Sequence, residues 1–174
     1  LRLELRIEHL LSLARQEAND ERAIEMVENC IQLFGRMPDG TTRIDECFVE
    51  ISKICRRRAE RSETEMGHQD WLQRSLEAVQ IAVSINRSLG NYFRVFEEYH
   101  ELFEDLLGLG RYDDYVRHRI ENRELAFAVG NITELMYLFE EHLQFDPDEE
   151  SAILFADDLR GFYEGLVRYI QGLG

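Results

Sequence analysis

Apolar residues recur along this chain at intervals of three and four, with charged residues filling the positions between. Leu3, Ile7, Leu10, Leu11 and Ala14 make the first such stripe, over residues 1–18. Ala23, Val27, Cys30, Ile31 and Phe34 make the second, over 20–36. Ile44, Cys47, Phe48, Ile51 and Cys55 make the third. Trp71, Leu72, Leu76, Val79, Ala82, Val83 and Asn86 lie on or near the packed side of a fourth, over 69–89. Phe93, Phe96, Tyr99, Phe103, Leu106 and Leu107 follow over 92–108, then Tyr112, Tyr115, Val116, Leu125, Ala126 and Val129 over 112–129. Leu135, Leu138, Phe139 and Leu143 form a seventh stripe, and Leu154, Phe155, Leu159, Phe162, Tyr163, Leu166 and Ile170 an eighth, over 149–171. Each stripe has the period of one face of an α-helix. No strand-like alternation of useful length occurs, so the pattern predicts an all-α chain of eight helices.

The breaks between stripes have recognisable chemistry. Asn19-Asp20 predicts an N-cap. Gly35 and Met37-Pro38-Asp39-Gly40 end the second helix, because proline cannot donate the helical hydrogen bond. Thr41-Thr42 predicts a cap on the third. The polar run from Arg56 to Glu65 reads as a helix extension or an exposed loop, closed by Met66-Gly67. Gly90-Asn91 and Gly130-Asn131 end their helices with left-handed stops, 40 positions apart (131 − 91). Gly108-Leu109-Gly110-Arg111-Tyr112 divides the segment between them, and Asn131 or Thr133 caps the seventh helix. Asp146-Pro147-Asp148 separates the last two. Connections this short pair the helices as antiparallel hairpins.

The hairpins repeat. With the frame set on the second helix of each pair, Ala23, Ser75, Tyr115 and Phe155 fall at one position, Val27, Val79, Arg119 and Leu159 four later, and Cys30, Ala82, Asn122 and Phe162 three after that. The spacings are 52, 40 and 40 (75 − 23, 115 − 75, 155 − 115), with the extra 12 between the second and fourth helices. Two-helix units of this length build stacked solenoids, since no pair buries its apolar face alone. Gly110-Arg111-Tyr112-Asp113-Asp114 resembles the turn and second-helix start of the tetratricopeptide repeat (TPR) in its roughly 40-residue form. Leu125-Ala126 with Val129-Gly130-Asn131 resembles its repeat end. Phe48, Ile51, Ser52 and Cys55, then Ser75, Val79 and Ala82, occupy its packing positions in the second pair. Phe103, Tyr115 and Asn122 depart from it, standing where the family has small residues, as Arg119 does where it has a large apolar one. Bulk at those positions implies wider or rotated helix packing. The resemblance implies a right-handed TPR-like α-solenoid over 1–174; an irregular helical bundle is the alternative.

Composition narrows the function. The 174 residues are 44% hydrophobic and 32% charged, with two prolines, which suits a folded chain. A net charge of −15 opposes nucleic acid and anionic membrane as partners. No apolar run reaches the roughly 20 residues of a membrane span. The opening Leu1-Arg2-Leu3-Glu4 reads as the start of a piece of a longer protein. Cys30, Cys47 and Cys55 lie within apolar stripes, as buried free thiols in a reducing compartment, cytoplasmic or nuclear. His9, His68, His100, His118 and His142 form no metal-ligand spacing. No phosphate-binding glycine loop and no nucleophile elbow occur. The abundant paired acids, among them Asp113-Asp114 and Asp157-Asp158, read as solvated faces and helix starts. The pattern therefore predicts no enzyme, no cofactor and no metal.

What remains is recognition of a protein or peptide. The resemblance implies that first helices of successive pairs line a concave groove. Its groove positions fall on Glu46, Val49, Lys53 and Arg56 in the second pair, on Glu97, His100, Glu104 and Leu107 in the third, and on Tyr137, Glu140 and Gln144 in the fourth. Such a groove is acidic towards its C-terminal end and predicts a partner bearing Lys or Arg. Two other readings stand beside it: a self-association or assembly domain of a larger complex, and a peptide-sensing regulatory domain.

Overall fold

The structure is a computed structural model, described over residues 2–37, 40–145 and 149–172. Eight α-helices follow in order: α1 (Arg2–Gln16), α2 (Asp20–Phe34), α3 (Ile44–Glu60), α4 (Glu65–Leu89), α5 (Tyr92–Gly108), α6 (Tyr112–Val129), α7 (Ile132–Phe145) and α8 (Glu149–Gly172). A short 3-10 turn, Gly40–Arg43, precedes α3, and no strand occurs among the described residues. The all-α expectation holds. The Pro38-Asp39 turn and the Asp146-Pro147-Asp148 break lie outside the described residues.

Three helix ends share one construction. Gly90, Gly110 and Gly130 have φ of 70°, 67° and 73°, the left-handed region in which a side chain is strained. The residue after each glycine donates its N–H five residues back: Asn91 to Asn86 O, Arg111 to Leu106 O and Asn131 to Ala126 O, each at 2.9 Å. That is the bond pattern of a Schellman cap. The same residue then opens the next helix, its carbonyl accepting from Val95, Tyr115 or Leu135. One glycine thus stops a helix and its successor starts another. These glycines recur every 20 residues (110 − 90, 130 − 110), half of the 40-residue repeat.

Other caps match in part. Asn19 Oδ1 accepts from Arg22 N at 3.0 Å, and Asn131 Oδ1 from Glu134 N at 3.1 Å, as the sequence predicts. The cap position of α3 falls on Arg43, without a side-chain bond, and Thr41-Thr42 lie before it in the 3-10 turn. Met66-Gly67 is not the close of a loop. Thr64 caps α4, accepting from Gly67 N at 3.1 Å, so both residues belong to the first turn of that helix. The polar run from Arg56 is therefore the extension, lengthening α3 to Glu60 and leaving a four-residue connection.

The chain divides into two compact units, Leu1–Tyr115 and Val116–Gly174. In the first, α1 packs on α2, α2 on α3, α3 on α4 and α4 on α5, hairpins stacked in the order of the sequence. One apolar cluster runs through its N-terminal half, from Ile7 and Leu11 through Ala23, Val27 and Phe34 to Cys47, Ile54 and Cys55. Burying such side chains stabilises by about 1.5–3 kcal/mol each. The three thiols are buried and free, and burial pushes Cys47 up to about 12 and Cys55 to about 11, which keeps them protonated and unreactive. The repeat frame is visible in burial, since Ala23, Ser75 and Tyr115 are all buried, as are Cys30, Ala82 and Asn122. At the bulky positions Tyr115 meets Phe103 edge-on, ring centroids 5.4 Å apart. The boundary between the units falls directly after Tyr115.

In the second unit α7 packs on α8. Arg119, at a position where the repeat has an apolar residue, turns its guanidinium to Leu138 O at 3.0 Å. Asn122, buried, donates to Glu134 Oε1 at 2.6 Å. Phe162 stands edge-on to Phe127, centroids 5.7 Å apart. Polar and aromatic groups at the repeat's packing positions thus find specific partners.

Candidate functional site

A charged cleft of about 580 Å³ opens on the first unit. It is lined by Arg15 of α1, by Asp45, Glu46, Val49, Glu50 and Lys53 of α3, and by Arg94, Glu97, Glu98, His100 and Glu101 of α5. These are the first helices of three successive hairpins. The spacings along α3 and α5 are those of one helical face, which is why residues three and four apart meet in one wall.

Five groove positions expected from the sequence come together here: Glu46, Val49, Lys53, Glu97 and His100. Three from the same helices do not. Arg56 is not among the lining residues; it is held on α5, where its Nε bonds Asp105 Oδ1 at 2.6 Å and its Nη1 bonds Glu104 Oε2 at 3.0 Å, and Glu101 is a further partner, through carboxylate and carbonyl. Glu104 is exposed and engaged by Arg56, and Leu107 is half-buried outside the cleft. Tyr137 and Glu140 are exposed on α7, in the second unit. The side chain of Gln144 lies outside the described residues.

The basic run from Arg56 is thus not a free patch at its first position. Asp105, fully buried, also accepts from Ser75 Oγ at 2.6 Å, and Ser75 meets Ser52 Oγ at 2.9 Å. Burial raises the Asp105 carboxyl against the pull of Arg56 and Ser75. This buried chain of groups ties α3, α4 and α5 together directly beside the cleft.

Arginine–carboxylate rungs cross the cleft itself. Arg15 reaches from α1 to Glu50 at 2.9 Å. Arg94 reaches from α5 to Asp45 at 2.6 Å and Glu46 at 3.1 Å. Arg43 adds a bond to Glu46 at 2.9 Å and one to Glu8 of α1 at 2.6 Å. Burial alone would raise Glu46, but its bonds to Arg43 and Arg94 outweigh that and hold it below the ordinary carboxylate range.

Beneath Arg94, one amide bridges two acids. Asn86 Nδ2 on α4 donates to Asp45 Oδ2 at 3.0 Å and to Glu98 Oε1 at 2.6 Å. Asp45 is 1% exposed and Glu98 4%. Each has a second oxygen, Asp45 Oδ1 and Glu98 Oε2, buried with no hydrogen-bond partner. Burial, more than the Asn86 bond can offset, pushes Glu98 up to about 7. Among the cleft residues six carboxylates face three cations, and two of those cations are held in rungs.

Sequence reasoning missed Arg15, Asp45, Glu50, Arg94, Glu98 and Glu101. Asp45, Glu50, Arg94 and Glu101 were reachable by extending the chosen groove positions by one helical step along α3 and α5; Arg15 and Glu98 were not. Nothing in the pattern distinguishes the buried acids from the exposed ones beside them.

Comparison with known proteins adds little. No protein-family model matches the chain, and no curated protein matches it. A solved structure, that of a de novo designed helical repeat protein, is similar: 16% identity, covering 98% of this chain and 95% of its own, at a TM-score of 0.46. The recurring glycine caps and sequentially stacked hairpins of the chain itself are those of a helical repeat.

Proposed function

We propose that this chain is a TPR-like scaffold for protein–protein recognition, and that the cleft on α1, α3 and α5 receives an extended segment or helix of a partner bearing basic residues. The observation that supports this is the cleft's composition. Three helices far apart in sequence contribute one continuous wall, open enough for a peptide and carrying an excess of carboxylates. Polar and charged walls of that kind confer specificity and steer a charged partner. In this reading the chain is a binding module without catalytic residues, metal or cofactor, acting inside the cell on a protein and not on nucleic acid.

Panning the chain against a random dodecapeptide display library tests it. Binders rich in Lys or Arg are expected, with affinity falling several-fold between 50 and 300 mM salt as screening increases. The double charge reversal Glu46→Lys with Glu97→Lys should abolish that binding. Binders indifferent to both changes would refute the assignment of the cleft.

Self-association is the second reading. Leu5 and Leu13, eight residues apart on α1, are 63% and 39% exposed. Sedimentation equilibrium separates the readings: a dimer lost on Leu5→Glu favours association through this face.

A further inference from the structure

We propose that a second pocket, between α1 and α2, takes a phosphorylated serine or threonine of a protein segment, its phosphate held by Arg6 of α1 and Arg36 at the end of α2. The pocket shares no residue with the cleft, and the proposal goes beyond the reading of that cleft.

The pocket measures about 320 Å³ and is lined by Arg6 and Leu10 of α1 and by Asn29, Gln32, Leu33 and Arg36 along α2 and its end. Hairpin packing places them there. Ile7 and Leu11 join Ala23, Val27 and Cys30 in the core, which leaves Arg6 and Leu10, one helical turn apart, beside that seam. Asn29, Gln32, Leu33 and Arg36 follow at the spacing of one helical face. The bond from Arg36 N–H to Leu33 O, 3.1 Å, carries the turn one residue past Gly35.

Charge sets this pocket apart. Asp and Glu outnumber Lys and Arg by 35 to 20 in the chain, yet none of the lining residues is acidic. Arg15, Arg43, Arg56, Arg74 and Arg94 of the same unit each bridge to a carboxylate. Arg6 and Arg36 have no hydrogen-bond or ion-pair partner among the described residues, and neither have the side chains of Asn29 and Gln32. All four are exposed, so their donors are open to a ligand. Leu33 is buried and Leu10 half-buried, and they give the pocket apolar surface.

Two free cations call for two negative charges. A single carboxylate neutralises one of them. A phosphate monoester carries a charge of about −2 at neutral pH and offers several acceptor oxygens, so guanidinium groups from both helices can share it. The amides select what bears the phosphate. A carboxamide donates and accepts, as a peptide group does, so Asn29 and Gln32 suit the backbone beside the phosphorylated residue. Leu10 and Leu33 suit an apolar side chain flanking it. Membranes and nucleic acids present many phosphates at once, which a chain of net charge −15 repels as a whole; one phosphate on a peptide meets the local pocket.

The test uses the full chain and a library of nine-residue peptides with a central phosphoserine, beside the same library unphosphorylated. The phosphorylated library should be retained and the other not. The best retained peptide, followed by fluorescence polarisation, should lose roughly tenfold in affinity on Arg6→Gln and on Arg36→Gln, the scale of one charged hydrogen bond. Both side chains are exposed, so neither change touches the core. Removing the phosphate should cost at least as much. Glu46→Lys with Glu97→Lys, which alters the cleft, should leave this affinity unchanged, so the cleft and the pocket can fail separately. Equal retention of the two libraries, or an affinity indifferent to both arginine changes, would overturn the site. Capture of the chain by phosphatidylcholine vesicles doped with phosphatidylinositol 4-phosphate, in place of peptides, would assign the pocket to lipid and overturn the protein ligand. Inorganic phosphate bound as tightly as the best peptide would overturn it too.

Discussion

Arg56 and Glu98 look alike in the sequence, two charged residues on amphipathic helices, and the fold treats them oppositely. Arg56 finds several carboxylates of α5, whereas Glu98 is buried with one amide for a partner. Glu98 has a consequence for pH. In the fold it holds its proton up to about pH 7, while unfolded it releases it near 4.5. Between those values the folded chain binds more protons than the unfolded one, so its contribution makes stability fall as pH rises through that window and level off above it. Asp105, also raised, acts in the same direction, and Glu46, lowered, opposes it at the acid end. Urea unfolding at pH 5 and pH 7.5 should show Glu98→Gln losing less stability over this interval than wild type, by on the order of 2 kcal/mol. An identical pH profile would contradict this account. None of it was legible beforehand, because burial of a carboxylate depends on what the neighbouring helix packs against it, which helical period alone does not give.

Helices, by contrast, were read closely from sequence because their ends are local chemistry. Gly-Asn at 90–91 and 130–131 and Gly-Arg at 110–111 announce stops that need only a left-handed glycine and a free N–H beyond it. Gly90→Ala should cost about 1 kcal/mol in urea unfolding, from backbone strain alone, because a Cβ there meets nothing within 4 Å. A neutral effect would mean that the cap relaxes freely. The misread ends are those where tertiary structure chose among equivalent candidates. Thr41, Thr42 and Thr64 all suit an N-cap, and only Thr64 has a helix starting at the right place to use it.

At the scale of the whole molecule, the repeat frame placed the buried positions of the first three hairpins and could not foresee the division after Tyr115. What bulk does at a packing position, as at Phe103 and Tyr115, depends on the partners it meets. Every residue lining the cleft, and every group in the Arg56 and Asn86 networks, belongs to the first unit. A fragment of residues 1–115 is therefore expected to keep its helical circular dichroism, melt cooperatively and retain the peptide selectivity of the full chain. A fragment without a cooperative melt would show that the first unit depends on the rest. The glycine caps carry a final consequence, for how such a chain changes length. Gly90 is followed by asparagine, and so is Gly130. Deleting residues 91–130, or copying them, rejoins Gly to Asn at every seam, so the joint is rebuilt from the residues already there. Loss or gain of one 40-residue copy by unequal genetic exchange would need no compensating mutation at the junction. Growth and shortening by whole hairpins are built into the spacing of these glycines.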